Sequence, residues 1–402
     1  MSTHLFSFLG RSPKRDGQYQ RTRYRFPDGS DDEASFFGFS LQRRLRAERM
    51  VILGTAGSMW DHLFDQLSGS LGDQMETERL SLIDAVEHKT VEQAQLDHLA
   101  PLLGQALGCE CQLQLIPYAR SEAEQLAIVR QLAHDTVATE RLHLDITHGF
   151  RHLPMLALAA LQALRALNPA LRIEAIWYGA YDPDLGDAPV HDLSGMLKLL
   201  DGAAAISRFD KDGDYTELAN LMHGEGAEHL RQAAFFERTH QTGQARGRLD
   251  KARAHLVTEP DNGLESLFHS ALNVRLEWSR EVRLYQRQRE LADFYLARRD
   301  FLRATLFGFE AFITRLMVEQ AQPGQHTDNF EHRADAKQMF EDQTRAHDSP
   351  GRASYRLLRD LRNQLAHGVS SPRVEVQKAL SAPDRLAAAL QRVFDQLLAD
   401  LP

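Results

Sequence analysis

The sequence predicts two units of different class: an α/β unit with a mostly parallel sheet over residues 1–200, then an all-α unit over residues 201–402. Short apolar runs alternate with helical patterns as far as about residue 195, the order that builds a parallel sheet with helices on both faces. From about Asp201 no run reads as a strand, while apolar residues keep helical spacing. A chain of 402 residues with 43% apolar content is long enough for two cores.

The elements follow in order. His4–Leu9 is an apolar run closed by Gly10 and reads as a buried first strand, with the loop Gly10-Arg11-Ser12-Pro13-Lys14 behind it. Gln18–Phe26 alternates aromatic and basic residues before the Pro27-Asp28-Gly29 turn, a hairpin arm on the sheet. Phe36–Glu48 is helical and basic on one side, and Met50–Leu53 is a second buried strand running into Gly54-Thr55-Ala56-Gly57. Glu76–Leu107 is expected as two helices broken near Leu96–Pro101, and Gln112–Ile116 as a strand. Ser121 caps a helix reaching Thr136, with Glu124 placed to complete a capping box. Arg141–Ile146 is a strand, Leu153–Leu167 an Ala-rich helix buried on more than one side, and Leu171–Tyr178 a further strand. In the second half, residues 215–257, 263–297, 299–319 and 353–400 are helical by pattern, with loops expected at Pro323–Asn329 and Ala346–Gly351.

Composition excludes several classes. Cys109 and Cys111 alone make neither a disulfide framework nor a zinc site, no apolar run reaches membrane-spanning length, and no leader pattern precedes Arg11, so a cytoplasmic protein with no membrane contact is expected. A net charge of −9 is wrong for coating nucleic acid indiscriminately, so any RNA contact is local. One place suits it: Arg352, Arg356, Arg359, Arg362 and Arg373 stand against the single acid Asp360.

That patch holds Tyr355–Gly368, YRLLRDLRNQLAHG, where Leu357, Leu358, Leu361 and Leu365 form a helical stripe. Gly368 and Pro372 mark the helix end, leaving Arg362, Asn363 and His367 near the last turn. An arginine fork grips phosphate oxygens and an imidazole moves protons near neutrality. Asn363, on the face of His367, is placed to orient that histidine or hold its tautomer. The string resembles the R-N-x-x-x-H form of the HEPN ribonuclease signature. The resemblance implies that Arg362 and His367 are a catalytic pair with Asn363 beside them, and that motifs from two protomers make one composite RNA-cutting site.

The loops expected at the carboxyl ends of the strands are Gly10–Lys14, Gly54–Ser58 and Thr147–Arg151, where an α/β sheet binds ligands. None is a dinucleotide or Walker fingerprint. The last belongs to Asp145-Ile146-Thr147-His148-Gly149-Phe150-Arg151, which follows a strand and opens a helix. It closely resembles the motif naming the DxTHG family of CRISPR-associated proteins, and Phe6–Gly10, the aromatic hairpin and the Gly54-Thr55-Ala56-Gly57 strand end match that family's opening. The resemblance implies an N-terminal Rossmann-like CARF domain and a C-terminal α-helical HEPN domain. It further implies a cyclic oligoadenylate (tetra- or hexa-adenylate) as activator, single-stranded RNA as substrate, type III CRISPR antiviral defence as setting, and a homodimer or higher even-numbered homo-oligomer. No metal or other cofactor is implied for catalysis.

Gly10, Arg11, Ser12, Gly54, Thr55, Ala56 and Gly57 offer backbone, hydroxyl and guanidinium donors to phosphates. Thr147, His148, Gly149 and Arg151 do so from a helix start, with His148 alternatively ordering the loop and Asp145 bracing it. Asp210–Asp214 suggests a calcium loop but lacks the required Gly and Glu, and Asp182, Asp184 and Asp187 read as a solvated turn. Two other functions stay open: a catalytically silent sensor, and a sensor that also degrades its ligand.

Overall fold

The computed structural model describes residues 2–67, 76–136, 140–258, 266–320, 326–345 and 349–399. The expected loops at Pro323–Asn329 and Ala346–Gly351 fall partly outside them. The chain divides into two compact units, Met1–Lys198 and Leu199–Pro402.

The first unit runs β1 (Thr3–Leu9), β2 (Lys14–Arg15), β3 (Gln18–Tyr19), β4 (Thr22–Arg25), β5 (Asp31–Ala34), α1 (Phe37–Leu45), β6 (Arg49–Gly54) and a 3₁₀ turn at Trp60–Gln66. It continues through α2 (Glu76–His88), α3 (Gln93–Leu107), β7 (Glu110–Leu115), α4 (Glu122–Asp135), β8 (Arg141–Asp145), α5 (His152–Leu167), β9 (Arg172–Gly179) and β10 (Ala188–Asp192). The strands form one sheet in the order β5-β4-β10-β9-β8-β1-β6-β7, while β2 and β3 pair apart. From β9 to β7 every pairing is parallel, with Leu5 opposite both Met50 and His143.

Strict alternation along β1 builds a core on each face. Leu5 and Leu9 join Met50, Ile52, Trp60, Val86 and Leu99 on one side; Phe6 and Phe8 join Val51, Leu53, Leu144, Ile128 and Ala157 on the other. A strand buried on both faces reads as a continuous apolar run, which is why β1 and β6 are evident in the sequence.

Two expectations change here. The helical stretch before β7 breaks at Lys89–Glu92, not at Leu96–Pro101: Lys89 turns left-handed at φ 60°, and the Glu92 amide donates to Gln95 Oε1 at 3.0 Å to start α3. Pro101 lies inside α3 on its exposed side, where the missing amide is cheap, while Leu96, Leu99 and Leu103 pack inward. The turn carrying Asp182, Asp184 and Asp187 leads into β10, which runs antiparallel to β9 and beside β4. Asp187 there is not simply solvated, since it receives Arg25 at 2.8 Å.

The second unit is helical throughout its described residues: α6 (Gly195–Asp212, beginning in the first unit), α7 (Thr216–Asn220), α8 (Gly224–Arg238), α9 (Thr242–Thr258), α10 (Ser266–Arg275), a 3₁₀ turn at Glu277–Arg280, α11 (Leu284–Ala297) and α12 (Phe301–Glu319). Then come α13 (Phe330–Gln343), α14 (Pro350–His367), α15 (Val374–Leu380) and α16 (Pro383–Leu397). Phe209, Leu230, Leu249, Tyr295, Phe307, Leu358, Leu361 and Phe394 meet in its core.

Candidate functional site

In the first unit the adjacent parallel strands β8, β1, β6 and β7 end at one edge, and their loops enclose a cleft of about 380 Å³. Gly10, Arg11, Thr55, Gly57 and Gly149 line it. Ser12, Gly54, Ala56 and Arg151 lie on or beside the same loops without lining it. The loops are held by their own polar groups: Ser58 Oγ donates to the Leu9 carbonyl at 2.6 Å and accepts the Thr55 amide at 2.9 Å, and Trp60 Nε1 donates to the Thr55 carbonyl at 2.8 Å.

Asp145, Thr147 and His148 do not line the cleft; Asp145 braces the loop as expected, His148 takes the loop-ordering one of its two expected roles, and Thr147 joins them in positioning the loop. Asp145 is fully buried and accepts Ser7 Oγ at 2.5 Å and the Thr147 amide at 2.9 Å. Burial pushes its carboxyl up to about 6 despite those donors. Thr147 Oγ1 accepts the Gly179 amide at 2.9 Å, tying β8's loop to the end of β9. His148 Nε2 accepts the Phe37 amide at 3.1 Å, with Tyr24 Oη at 3.3 Å and the Phe36 ring centroid 5.6 Å away. Burial first, and then nearby His62, push that imidazole down to about 4, so it is neutral and orders the loop rather than meeting phosphate as a cation.

Sequence reasoning missed Ser58, Lys89, Tyr118, Arg120 and Phe150, all of which line the cleft. Tyr118 and Arg120 follow β7, and the strand-end rule applied to the other loops would have found them. Lys89 comes from the left-handed turn after α2, and nothing local in the sequence marks it. A Cβ on Gly57 would lie 3.1 Å from both Lys89 Cγ and Tyr118 Oη, so this loop closes on both. Arg120 lies over the Tyr118 ring at 4.7 Å, and Phe150 stands 5.7 Å from it. The Tyr118 hydroxyl is buried and has no hydrogen-bond partner among the described residues. Arg11, Lys89 and Arg120 line the cleft and no carboxylate does. Cations, flat rings and close-approach glycines together suit a ligand with phosphates and planar bases.

In the second unit Ser349 caps α14 through the Arg352 amide at 3.2 Å, and Pro350 fills the first helical position. Tyr355, Leu358 and Leu361 anchor the helix, while Leu357 and Leu365 are half-buried, so the expected apolar stripe is narrower. Gly368 ends it at φ 67°, its amide on the Gln364 carbonyl at 2.8 Å. His367, the last residue of α14, is exposed. Arg362 Nη1 donates to Asn363 Oδ1 at 3.0 Å, and its guanidinium lies 5.5 Å from the Phe309 ring centre. Its Nε is buried without a partner among the described residues. Asn363 therefore orients the arginine, not the histidine as expected.

The basic patch is less bare than its composition implies. Helix α13, which sequence reasoning did not find, brings Glu341 to Arg359 at 3.4 Å; Asp360 accepts from Arg359 at 3.2 Å and from Arg373 at 2.8 Å. Among the described residues no three His, Cys, Asp or Glu side chains gather as a metal site, and no helix is long and apolar enough to cross a membrane.

Residues 4–182 match the family model described as CRISPR system endoribonuclease Csx1, CARF domain. The N-terminal unit is a CARF domain. The CARF unit thus accounts for the parallel sheet and for the edge where the cleft lies. The chain is also similar to CRISPR-associated protein MJ1674 of Methanocaldococcus jannaschii, 24% identical over 229 residues, which is 52% of this chain and 36% of that protein. The chain thus spans about a third of that relative's length. Among solved structures it is similar to Enterococcus italicus Csm6 bound to cyclic hexa-2′-fluoro-hexa-dAMP, with a TM-score of 0.39 and 11% identity over 100% of this chain and 96% of that one.

Proposed function

We propose that this chain is an endoribonuclease of type III CRISPR defence that cuts single-stranded RNA without a metal when a cyclic oligoadenylate occupies its CARF cleft. The observation carrying this reading is the pairing of an oriented arginine fork with an exposed histidine on the closing turns of α14, in a chain whose other unit is a CARF domain. Two copies of the chain bring two such helix ends to one RNA strand, and a two-fold pair of clefts suits a ring with rotational symmetry.

The substrate supplies its own nucleophile. Its 2′-oxygen attacks the adjacent phosphorus, the bond to the 5′-oxygen breaks, and a 2′,3′-cyclic phosphate and a 5′-hydroxyl result. The proton lost by the 2′-hydroxyl and the one gained by the 5′-oxygen balance. Arg362, its fork fixed by Asn363, neutralises charge growing on the phosphoryl oxygens. His367 moves one of these protons or orients the hydroxyl. The ring raises activity only by binding the active arrangement better than the resting one.

The test is cleavage of a fluorogenic RNA in EDTA, with and without cyclic tetra- or hexa-adenylate, beside Arg362→Ala and His367→Ala. The expected result is ring-dependent cutting that both substitutions abolish. Equal rates with and without ring would remove the switch, and activity surviving both substitutions would remove the site. Light scattering is expected to give a dimer or a larger even-numbered assembly.

A further inference from the structure

A second polar cleft, of about 370 Å³, lies along α14 between that helix and α13. Arg345, Arg352, Arg356, Arg359 and Arg373 line it. At 3.6 residues per turn Arg352, Arg356, Arg359, Asn363 and His367 fall within about 80° of one another on α14. The cleft's cations therefore continue, on one helix face, into the two motif residues. From Arg352 to His367 that face is about 22 Å long.

The charges are not all committed. Glu341 holds the Tyr355 hydroxyl at 2.7 Å and Arg359 at 3.4 Å, and Asp360 is shared between Arg359 and Arg373. The Asp342 carboxylate receives, among the described residues, only Gln338, at 3.1 Å. Arg352 gives Nη1 to the Arg345 carbonyl at 2.7 Å, a contact that leaves its charge uncancelled. The guanidiniums of Arg345 and Arg356 make no ion pair or hydrogen bond among the described residues. Five arginines against three carboxylates leave the cleft positive. Its lining includes no aliphatic side chain, so it offers a peptide's apolar residues nothing, whereas a row of cations three and four residues apart suits successive backbone phosphates.

We propose that the arginine face of α14 is a track for the phosphate backbone of single-stranded RNA, with Arg345 and Arg356 as its free grips, delivering the strand to Arg362 and His367. The proposal rests on the endoribonuclease reading and deepens it: Arg356 and Arg345 hold substrate away from the reacting phosphate and act on binding, not on the bond.

The test uses the full chain with Arg345→Ala, Arg356→Ala and the double variant, and Arg392→Ala as a control; Arg392 lies on α16 beside the opposite face of α14. Fluorescence anisotropy of a labelled RNA oligomer is measured in a His367→Ala background across a salt series. Single-strand binding loses about 0.7 of log-log salt slope per lost phosphate contact, so the double variant is expected to flatten the slope by about 1.4 and weaken binding roughly tenfold. In the active background KM rises correspondingly while kcat stays within about twofold. Unchanged affinity and slope, a loss confined to kcat, or an equal loss in Arg392→Ala would each overturn the track. Adenosine monophosphate losing as much affinity as the oligomer would also overturn it, by reducing the cleft to a single-phosphate site. If the unaltered chain cuts no RNA with any ring, yet the double variant still loses binding and slope, the nuclease reading fails and the track stands.

Discussion

Gly10 and Gly149 meet backbone to backbone: a Cβ on Gly10 would lie 2.4 Å from the Gly149 amide nitrogen and 3.1 Å from its Cα. The loops after β1 and β8 thus touch through main chain, with no flexible side chain to move aside. Gly10→Ala must push the loops apart where they line the CARF cleft. Calorimetric titration with cyclic tetra- and hexa-adenylate is expected to show affinity weakened at least tenfold, with a lowered melting temperature. Wild-type affinity in this variant would mean the loops' close approach plays no part in ring binding.

The buried Tyr118 hydroxyl at the cleft has no hydrogen-bond partner among the described residues. A buried polar group without a partner costs the protein about 1–3 kcal/mol, so its removal relieves the free chain. Tyr118→Phe is expected to melt at or above the wild-type temperature while losing ring affinity roughly tenfold. Parallel loss of stability and affinity would contradict the assignment of this hydroxyl to the ligand.

Asp145 carries a pH signature. Its folded pKa of about 6 lies above the ordinary 3.8, so its contribution is fully present below about pH 4 and is lost as pH rises to about 6. Urea unfolding of wild type and Asp145→Asn is expected to diverge over that window, on the order of 2–3 kcal/mol in total, and to run parallel above it. Parallel curves from pH 4 to pH 6 would show that the carboxyl is not displaced. Ser7→Ala, which removes one of its donors, is expected to destabilise the CARF unit at pH 7 by about 1–3 kcal/mol.

Asn363 touches the arginine, and kinetics distinguish that from a contact with the histidine. Asn363→Ala frees the Arg362 fork and is expected to lower kcat about tenfold with little change in KM. Arg362→Lys keeps the charge but not the planar fork, and a loss nearer 100-fold is expected, the scale of removing one oriented donor from a developing oxyanion. Single-turnover cleavage with saturating ring measures both. A Lys variant as active as wild type would reduce Arg362 to a point charge.

The sequence displayed what is buried symmetrically and hid what depends on long-range company. β1 and β6 were legible because both faces are covered and the runs Leu5–Leu9 and Met50–Gly54 hold only apolar or small side chains. β10 was not: it is five residues long, contains Pro189 and follows an acidic turn. Helix α13 escaped because only Ala336 of its 14 residues is buried, leaving no apolar stripe to count. Its absence from the sequence reading also made the arginine patch look unopposed, since Glu341 comes from it. On α14 the caps and the motif were local and readable, but the rotamer that joins Arg362 to Asn363 was not. In the CARF cleft, glycine loops announced themselves, whereas Lys89 arrives through a left-handed turn between two helices. Asp145 and His148 belong to a recognisable string yet serve its scaffolding, a distinction made by the tertiary partners Ser7 and Phe37.

In the parallel run β9-β8-β1-β6-β7 the central strand precedes both of its partners in the chain. β1 needs β6, ending at Gly54, on one side and β8, ending at Asp145, on the other. Until the second of these emerges, an apolar segment with at least one edge unpaired has to wait on the nascent chain, where it is open to chaperones and to copies of itself on neighbouring ribosomes. Slowing translation between residues 54 and 145 is therefore expected to lower the yield of folded protein.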